Sequence, residues 1–196
     1  MTLKIALIGK ARAGKDSVAD LLAEHYGFTK YAFGTALKRY YHDIFGEQDG
    51  KPREGYQWFG QTLRERDPDV WVRKLFEEID IDLGCEELFC FMLPIFPVIT
   101  DVRQQNEYDR CRAEGYTIIR VEADDVTRLE RMRAAGDRFN IDDLKHDTET
   151  QLDAFEADYT VDNGAGVTLD ELKRQVDAIM GELITQSKRI GAGRVR

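Results

Sequence analysis

Cysteine, histidine and proline are scarce in this chain: three Cys, three His and four Pro among 196 residues. Cys85, Cys90 and Cys111 are odd in number, show no C-x-x-C spacing and lie far in sequence from His25, His42 and His146. That pattern excludes a disulfide framework and gives no zinc site, so the cysteines read as small core or surface thiols. Positive charge is also in short supply, with 28 Lys and Arg against 37 Asp and Glu for a net charge of -9. Binding to a nucleic-acid backbone needs a basic footprint, so no nucleic-acid partner is expected and an anionic ligand must be met by a local cluster of cations. Long apolar runs are missing. The longest, Leu88 to Ile99, is broken by Pro94 and Pro97, well short of the roughly 20 apolar residues a membrane helix requires. With no N-terminal signal pattern either, the expectation is a soluble, cytoplasmic protein without a membrane partner. No Asn-Lys-x-Asp sequence is present to read a guanine base, which argues against a signalling switch, and there is no internal repeat or low-complexity segment.

What the chain does contain is one conspicuous junction. Leu3 to Ile8 is an apolar strand pattern that runs directly into Gly9-Lys10-Ala11-Arg12-Ala13-Gly14-Lys15-Asp16-Ser17, after which Val18, Leu21 and Leu22 recur at helical spacing up to Tyr26. Gly9, Gly14 and Lys15 fit the phosphate-loop spacing G-x-x-x-x-G-K. Backbone N–H groups of such a loop and of the following helix N-terminus converge on anionic oxygens, and the lysine adds a point charge. An ordinary strand-turn-helix is the competing reading, but the apolar strand before and the amphipathic helix after are the context the motif requires. The residue after the lysine is Asp16 and the hydroxyl comes one position later, at Ser17, so the metal shell departs from the commonest arrangement.

At 42% hydrophobic and 33% charged residues over this length, the composition suits one sizeable core, and the order of elements points to one α/β domain. Strand patterns are expected at Leu3 to Ile8, Phe28 to Phe33, Pro97 to Thr100, Tyr116 to Glu122 and Tyr159 to Asp162. They give a parallel sheet of about five strands flanked by helices, with right-handed crossovers. Helices are expected at Ser17 to Tyr26, Thr35 to Phe45, Tyr56 to Arg66, Asp69 to Ile79, Gln104 to Glu114, Val126 to Ala135, Leu144 to Phe155 and Leu169 to Ser187. Gly46 to Gly55 and Gly136 to Asp143 read as polar connections, and the helical stretch of about 35–80 is too long for a simple crossover and reads as an inserted lobe. Asp67-Pro68 marks a helix boundary, because proline at the first helical position suits a preceding Asp that can cap. The domain is expected to cover 1–187, with 188–196 a basic, disordered tail.

Asp101 follows a buried strand, at the end where open parallel sheets hold their ligands. There a carboxylate helps to handle magnesium; the competing reading is a helix cap. Arg103 could grip a phosphate bidentately or pair with Glu107. Arg128 and Arg131 share one face of a helix, with Arg133 nearby and Arg138 beyond it. Arginines that close over a transferred phosphoryl group lower the barrier, whereas charges on a helix are otherwise a solvated face.

These motifs in their order resemble the deoxynucleoside monophosphate kinases, within the wider nucleoside monophosphate kinase group, over nearly the whole chain. The resemblance rests on Gly9 to Ser17, with its G-K-x-[ST] ending, and on Phe33-Gly34-Thr35-Ala36-Leu37-Lys38, where Ala36 stands in place of the family's proline. It rests further on Gln57-Trp58-Phe59-Gly60 with Asp67-Pro68-Asp69-Val70-Trp71, on Ile99 to Glu107, and on His146-Asp147-Thr148-Glu149 with Asp158 to Asn163. It implies a phosphate-loop kinase fold with a helical acceptor-binding insertion and a lid of about 128–146. The implied reaction is transfer from ATP to a deoxynucleoside monophosphate with Mg2+ present. Ala11, Arg12, Ala13, Gly14, Lys15, Asp16, Ser17 and Arg128 would bind ATP, Lys15, Asp101 and Arg131 would be catalytic, and Ser17 and Asp101 would handle the metal. Lys38, Arg64, Trp71, Arg103, Glu107 and Arg138 would hold the acceptor, with Trp71 and Tyr56 offered as base-stacking rings although aromatics at helical spacing also suit a core. The partners implied are small-molecule nucleotides, with room for a homodimer. Two other readings stay open: a kinase for another phosphorylated small molecule such as dephospho-coenzyme A, and a nucleotide-binding regulatory module without turnover.

Overall fold

The structure, a computed structural model, describes residues 2–47, 52–88, 94–135 and 147–192. Five strands form one parallel sheet: β1 (Ile5–Ile8), β2 (Phe28–Tyr31), β3 (Phe96–Ile99), β4 (Thr117–Glu122) and β5 (Tyr159–Asp162), in the order β2-β3-β1-β4-β5. Among the described residues eight helices connect and follow them: α1 (Lys15–Tyr26), α2 (Phe33–Phe45), α3 (Arg53–Arg66), α4 (Val70–Leu88), α5 (Gln105–Ala113), α6 (Asp125–Ala134), α7 (Asp147–Ala154) and α8 (Leu169–Ala192).

The central strand explains the layering. All four residues of β1 are buried, as in a parallel sheet covered on both faces, and successive side chains go to opposite faces. Ile5 and Leu7 join a core with Val18 and Leu22 of α1 and Leu172, Val176 and Met180 of α8. Ala6 and Ile8 join a second core with Leu75, Phe76 and Ile79 of α4, Cys111 of α5 and Leu152 of α7. A third, smaller cluster, built from Ala36, Leu37, Tyr41, Phe59 and Trp71, holds α2, α3 and α4 together as a helical unit between β2 and β3. Cys111 is a free, fully buried thiol whose pKa burial raises. Among the described residues no helix is long and apolar enough to cross a membrane.

Most boundaries differ from the sequence expectation by a residue or two, as at β2, which ends at Tyr31 so that Phe33 opens α2; among the described residues three differ by more. α3 starts at Arg53 rather than Tyr56. α4 runs past Ile79 to Leu88, because Leu83 continues the apolar stripe into the second core and Asp82 accepts a 2.7 Å hydrogen bond from the Tyr31 hydroxyl. α8 continues to Ala192, so the first part of the stretch expected as a disordered tail is helical. The expected polar connection at Gly136 to Asp143 lies outside the described residues, as do Arg138 and His146 of the expected lid.

Candidate active site

β1 ends at Ile8, and the chain then turns through Gly9 and Gly14 into α1. Gly9 (φ +148) and Gly14 (φ +101) take backbone conformations that favour glycine, and each is also closely approached. A Cβ on Gly9 would fall 2.3 Å from the Val121 carbonyl oxygen, and one on Gly14 would fall 2.0 Å from Asn163 Nδ2. Arg12, at φ +62, is the non-glycine residue of this loop in the left-handed region.

What holds the loop is a run of carbonyls engaged by donors. Lys15 Nζ donates to Gly9 O (2.7 Å) and Lys10 O (3.2 Å). Arg128 Nε donates to Ala11 O (2.8 Å). Arg131 Nη1 donates to Arg12 O (3.2 Å) and Ala13 O (3.4 Å), and Asn163 Nδ2 donates to Ala13 O (2.8 Å). In a trans peptide the N–H points away from the C=O, so donors that engage these carbonyls bias the loop's other N–H groups toward the opposite side, where the motif calls for an anion; Ala13 N is turned inward, donating to Lys10 O at 3.2 Å. Gly14 caps α1 without a side-chain hydrogen bond, and the positive helix end adds to the field felt by an anion there. Asp16 is exposed in the first turn of that helix and Ser17 is half-buried.

Arg128 and Arg131 therefore sit as anchors of the loop. Arg128 is almost fully buried, pairs with Asp125 at 2.7 Å and fastens α6 to the loop; Arg131 Nη2 also donates to Asn163 O at 2.9 Å. α6 is positioned by Asp124, which accepts from Thr127 N (2.9 Å), Thr127 Oγ1 (2.7 Å) and Ala165 N (3.2 Å). Those hydrogen bonds hold its pKa down at about 2. Behind the loop, at the C-terminal ends of β1, β4 and β5, lies a cavity of about 370 Å³ that includes Gly9, Lys10, Glu122, Asp124, Asp153 and Asp162 in its wall. Lys10 pairs with Asp153 of α7 at 3.1 Å across it, and Arg120 closes the end of α7 by donating to Leu152 O (3.0 Å) and Phe155 O.

On the β3 side, Asp101 Oδ1 accepts from Phe33 N (2.8 Å) and Oδ2 from Gly34 N (3.0 Å). It caps the first turn of α2, not the helix that follows it in sequence. Gly34 lies against Asp101, and Lys38, one turn further along α2, is exposed. Glu107 is buried at the start of α5. Its Oε2 accepts from Arg103 N (2.8 Å) and Gln104 N (3.0 Å), and Oε1 lies 3.9 Å from Arg64 Nη2 of α3. Arg103 thus meets Glu107 through its backbone, while its side chain is exposed and makes no ion pair among the described residues.

Burial pushes the Glu107 carboxyl up to about 7, against the opposing effect of the two N–H donors. Its folded value lies above the ordinary 4.5. Its contribution to stability is therefore complete below that value and is lost as the pH rises through about 7. In Glu107→Gln the slope disappears, so the wild-type Tm minus the variant Tm should fall by several degrees between about pH 5 and about pH 8. A constant difference in thermal denaturation would mean that the carboxylate stays ionised throughout.

One of the two expected base-stacking rings, Trp71, is corrected. Trp71 is only 2% exposed and packs among Tyr40, Phe59 and the rest of the helical core, its Nε1 donating to Gly60 O at 3.2 Å. Tyr56 is half-buried against Tyr41 and its hydroxyl lies 2.6 Å from His42 Nε2. For Trp71 the competing reading, an aromatic at the spacing of a core stripe, is the one the structure shows. Asn163, Lys10, Asp124 and Asp153 were not among the expected site residues. Asn163 stands just past β5, as Asp101 does past β3, so the same strand-end rule could have found it.

The fold is matched by known proteins. The model of the AAA domain family covers residues 5–153, from β1 to α7. The chain belongs to the AAA domain family. Solved structures similar to this AAA domain chain include a sugar kinase from Janibacter sp. at 14% identity, covering 89% of this chain and 91% of that one with a TM-score of 0.57. The tunicamycin resistance protein of Deinococcus radiodurans is similar at 15% identity, with 92% and 96% covered and a TM-score of 0.56. Shikimate kinase from Aquifex aeolicus is similar at 17% identity, with 94% and 98% covered and a TM-score of 0.51. At such identities the likeness establishes the fold, a five-stranded parallel sheet flanked by helices with a phosphate loop. No curated protein matches the chain.

Proposed function

We propose that this AAA domain chain is an ATP-dependent phosphotransferase that passes the γ-phosphoryl group of ATP to the 5′-phosphate of a deoxynucleoside monophosphate, giving ADP and the diphosphate. The observation that carries the reading is the phosphate loop after β1, held by Lys15, Arg128 and Arg131 at the C-terminal edge of the sheet. To the acceptor phosphate we assign the cations Lys38, Arg64 and Arg103, of which Arg64 lies 3.9 Å from Glu107 and Lys38 and Arg103 are exposed. A donor and an acceptor that both carry phosphate need cations for each. In the reaction an oxygen of the acceptor phosphate forms a bond to the γ-phosphorus as the bond to the bridging oxygen breaks, with ADP leaving.

In this reading Ala11 to Ser17 cradle the triphosphate and Lys15 offers its charge to the migrating group. Arg128 holds the loop and α6 together beside the nucleotide. Lys38, Arg64 and Arg103 hold the acceptor phosphate, and Glu107 orients Arg64. Ser17 and Asp101 provide oxygen donors only, the donor chemistry Mg2+ takes when it is shared between one or two protein groups and phosphates. Among the described residues no group of three His, Cys, Asp or Glu gathers to hold a metal. Bound there, Mg2+ would neutralise phosphate charge. The partners are small nucleotides in the cytoplasm, with neither nucleic acid nor membrane involved.

Arg131 touches the loop at Arg12 O and Ala13 O, close to where transferred charge develops. Arg131→Ala should lower kcat about a hundredfold and raise the KM for ATP by much less. Steady-state kinetics in which only that KM changes would restrict Arg131 to holding the loop.

ADP release measured across a panel of ribo- and deoxynucleoside monophosphates tests the proposal. Turnover should be fastest with a deoxynucleoside monophosphate, and release without an acceptor should be slow. Fold likeness to a shikimate kinase and a sugar kinase favours a second reading, transfer to another small molecule. Hydroxy acids, sugars and dephospho-coenzyme A therefore belong in the panel, and activity confined to them would replace the nucleotide acceptor. ATP binding without ADP release for any acceptor would leave a regulatory module.

A further inference from the structure

We propose that Asn163 is a positioning residue for ATP, acting as the strut that sets the phosphate loop from the β5 side. It lies outside the stretch matched by the family model, which ends at 153. Its burial is unusual for an amide, at 7% exposed, and each of its polar groups has a partner in the site. Nδ2 donates to Ala13 O at 2.8 Å, its carbonyl accepts from Arg131 Nη2 at 2.9 Å, and its N–H donates to Glu122 O at 2.7 Å. Ala13 O is the last loop carbonyl before Gly14 and the first turn of α1, so the bond from Nδ2 sets the peptide that joins loop to helix.

The strut is itself braced. Gln175 of α8 clasps the backbone of the preceding residue, its Oε1 accepting from Asp162 N (2.9 Å) and its Nε2 donating to Asp162 O (2.8 Å). A chain of contacts thus runs from α8 through the end of β5 to the loop. The close approach is visible at Gly14, where a Cβ would fall 2.0 Å from Asn163 Nδ2. Glycine is required there by the neighbouring amide as well as by its φ of +101. Arg131 also reaches Ala13 O, but at 3.4 Å. Losing the Asn163 amide would leave that carbonyl with its longer partner and free it to rotate toward the anion, where an oxygen repels phosphate.

The inference rests on the loop being a nucleotide phosphate site, and its test separates the two. ATP and inorganic tripolyphosphate are titrated by calorimetry into the full chain and into Asn163→Ala, with thermal denaturation and amide hydrogen exchange on the same samples. In the variant the Kd for both ligands should rise about tenfold, the worth of one hydrogen bond at a buried site. Exchange should quicken across Gly9 to Ser17 and not elsewhere, and Tm should move by no more than about 3 °C. Wild-type affinity for ATP in Asn163→Ala would overturn the proposal. So would weakened affinity with unchanged exchange in the loop, since Asn163 would then act on the ligand and not through the loop. If the variant is markedly less stable, exchange measured well below its Tm still decides: a general loosening of the fold overturns the proposal and a loosening confined to the loop supports it. A wild-type chain that binds neither ligand removes the nucleotide reading, while the exchange comparison still reports whether Asn163 sets the loop.

Discussion

Lys15→Ala should cut ADP release at least about a hundredfold while leaving the chain folded, the loss expected when a donor aimed at developing charge is removed. The side chain is 9% exposed and arises at the first position of α1, with its ammonium 2.7 Å from Gly9 O and 3.2 Å from Lys10 O. It belongs to the loop and to no hydrophobic core cluster, so its removal opens no cavity among packed apolar groups. The ammonium has two separable effects, neutralising phosphate charge and satisfying the carbonyls of Gly9 and Lys10. Circular dichroism should therefore resemble the wild type and Tm should fall by only a few degrees, the cost of leaving those carbonyls without their donor, while the coupled assay loses its signal. Retained turnover in the variant would end the kinase reading.

Trp71→Ala should instead act on stability, by about 3–5 kcal/mol, the range for deleting a large buried aromatic. Trp71 is among the largest fully buried side chains, it contacts Phe59 and Tyr40, and its indole N–H holds the Gly60 carbonyl. Removing it leaves a cavity at the centre of the α2–α3–α4 unit and strips that carbonyl of its partner. For a chain of this size the loss corresponds to a fall in Tm of roughly ten degrees. Trp58 is the natural control, being 58% exposed on α3, and its replacement should move Tm far less. An unchanged Tm with a raised acceptor KM in Trp71→Ala would return the ring to the ligand.

The contrast between these two residues shows what a sequence carries and what it does not. Lys15 was legible because its chemistry is local: the glycines, the lysine and the helix that presents it are contiguous, and their geometry follows from backbone conformation. Trp71 was legible as an aromatic at helical spacing, a pattern shared by a core stripe and by a ring facing a ligand. Which face of α4 turns inward depends on α2 and α3. Asp101 had the same ambiguity. Its place at a strand end was evident, but the backbone it caps belongs to Phe33 and Gly34, far earlier in the chain. Arg128 and Arg131 were expected over the phosphates, and the acceptors they hold, Ala11 O, Arg12 O and Ala13 O, come from the opposite end of the sequence.

By itself, then, the sequence determined the elements and their alternation, the strand-loop-helix cradle, and the sheet that such alternation demands, because periodicity, glycine conformation and helix-end chemistry act over a few residues. The tertiary structure alone decided the order β2-β3-β1-β4-β5, the burial of Trp71, the capping of α2 by Asp101 and the grip of Asn163 on Ala13. Each of those joins groups distant in the chain, and their pairing is selected by how whole helices and strands pack and by the requirement that buried polar groups find partners.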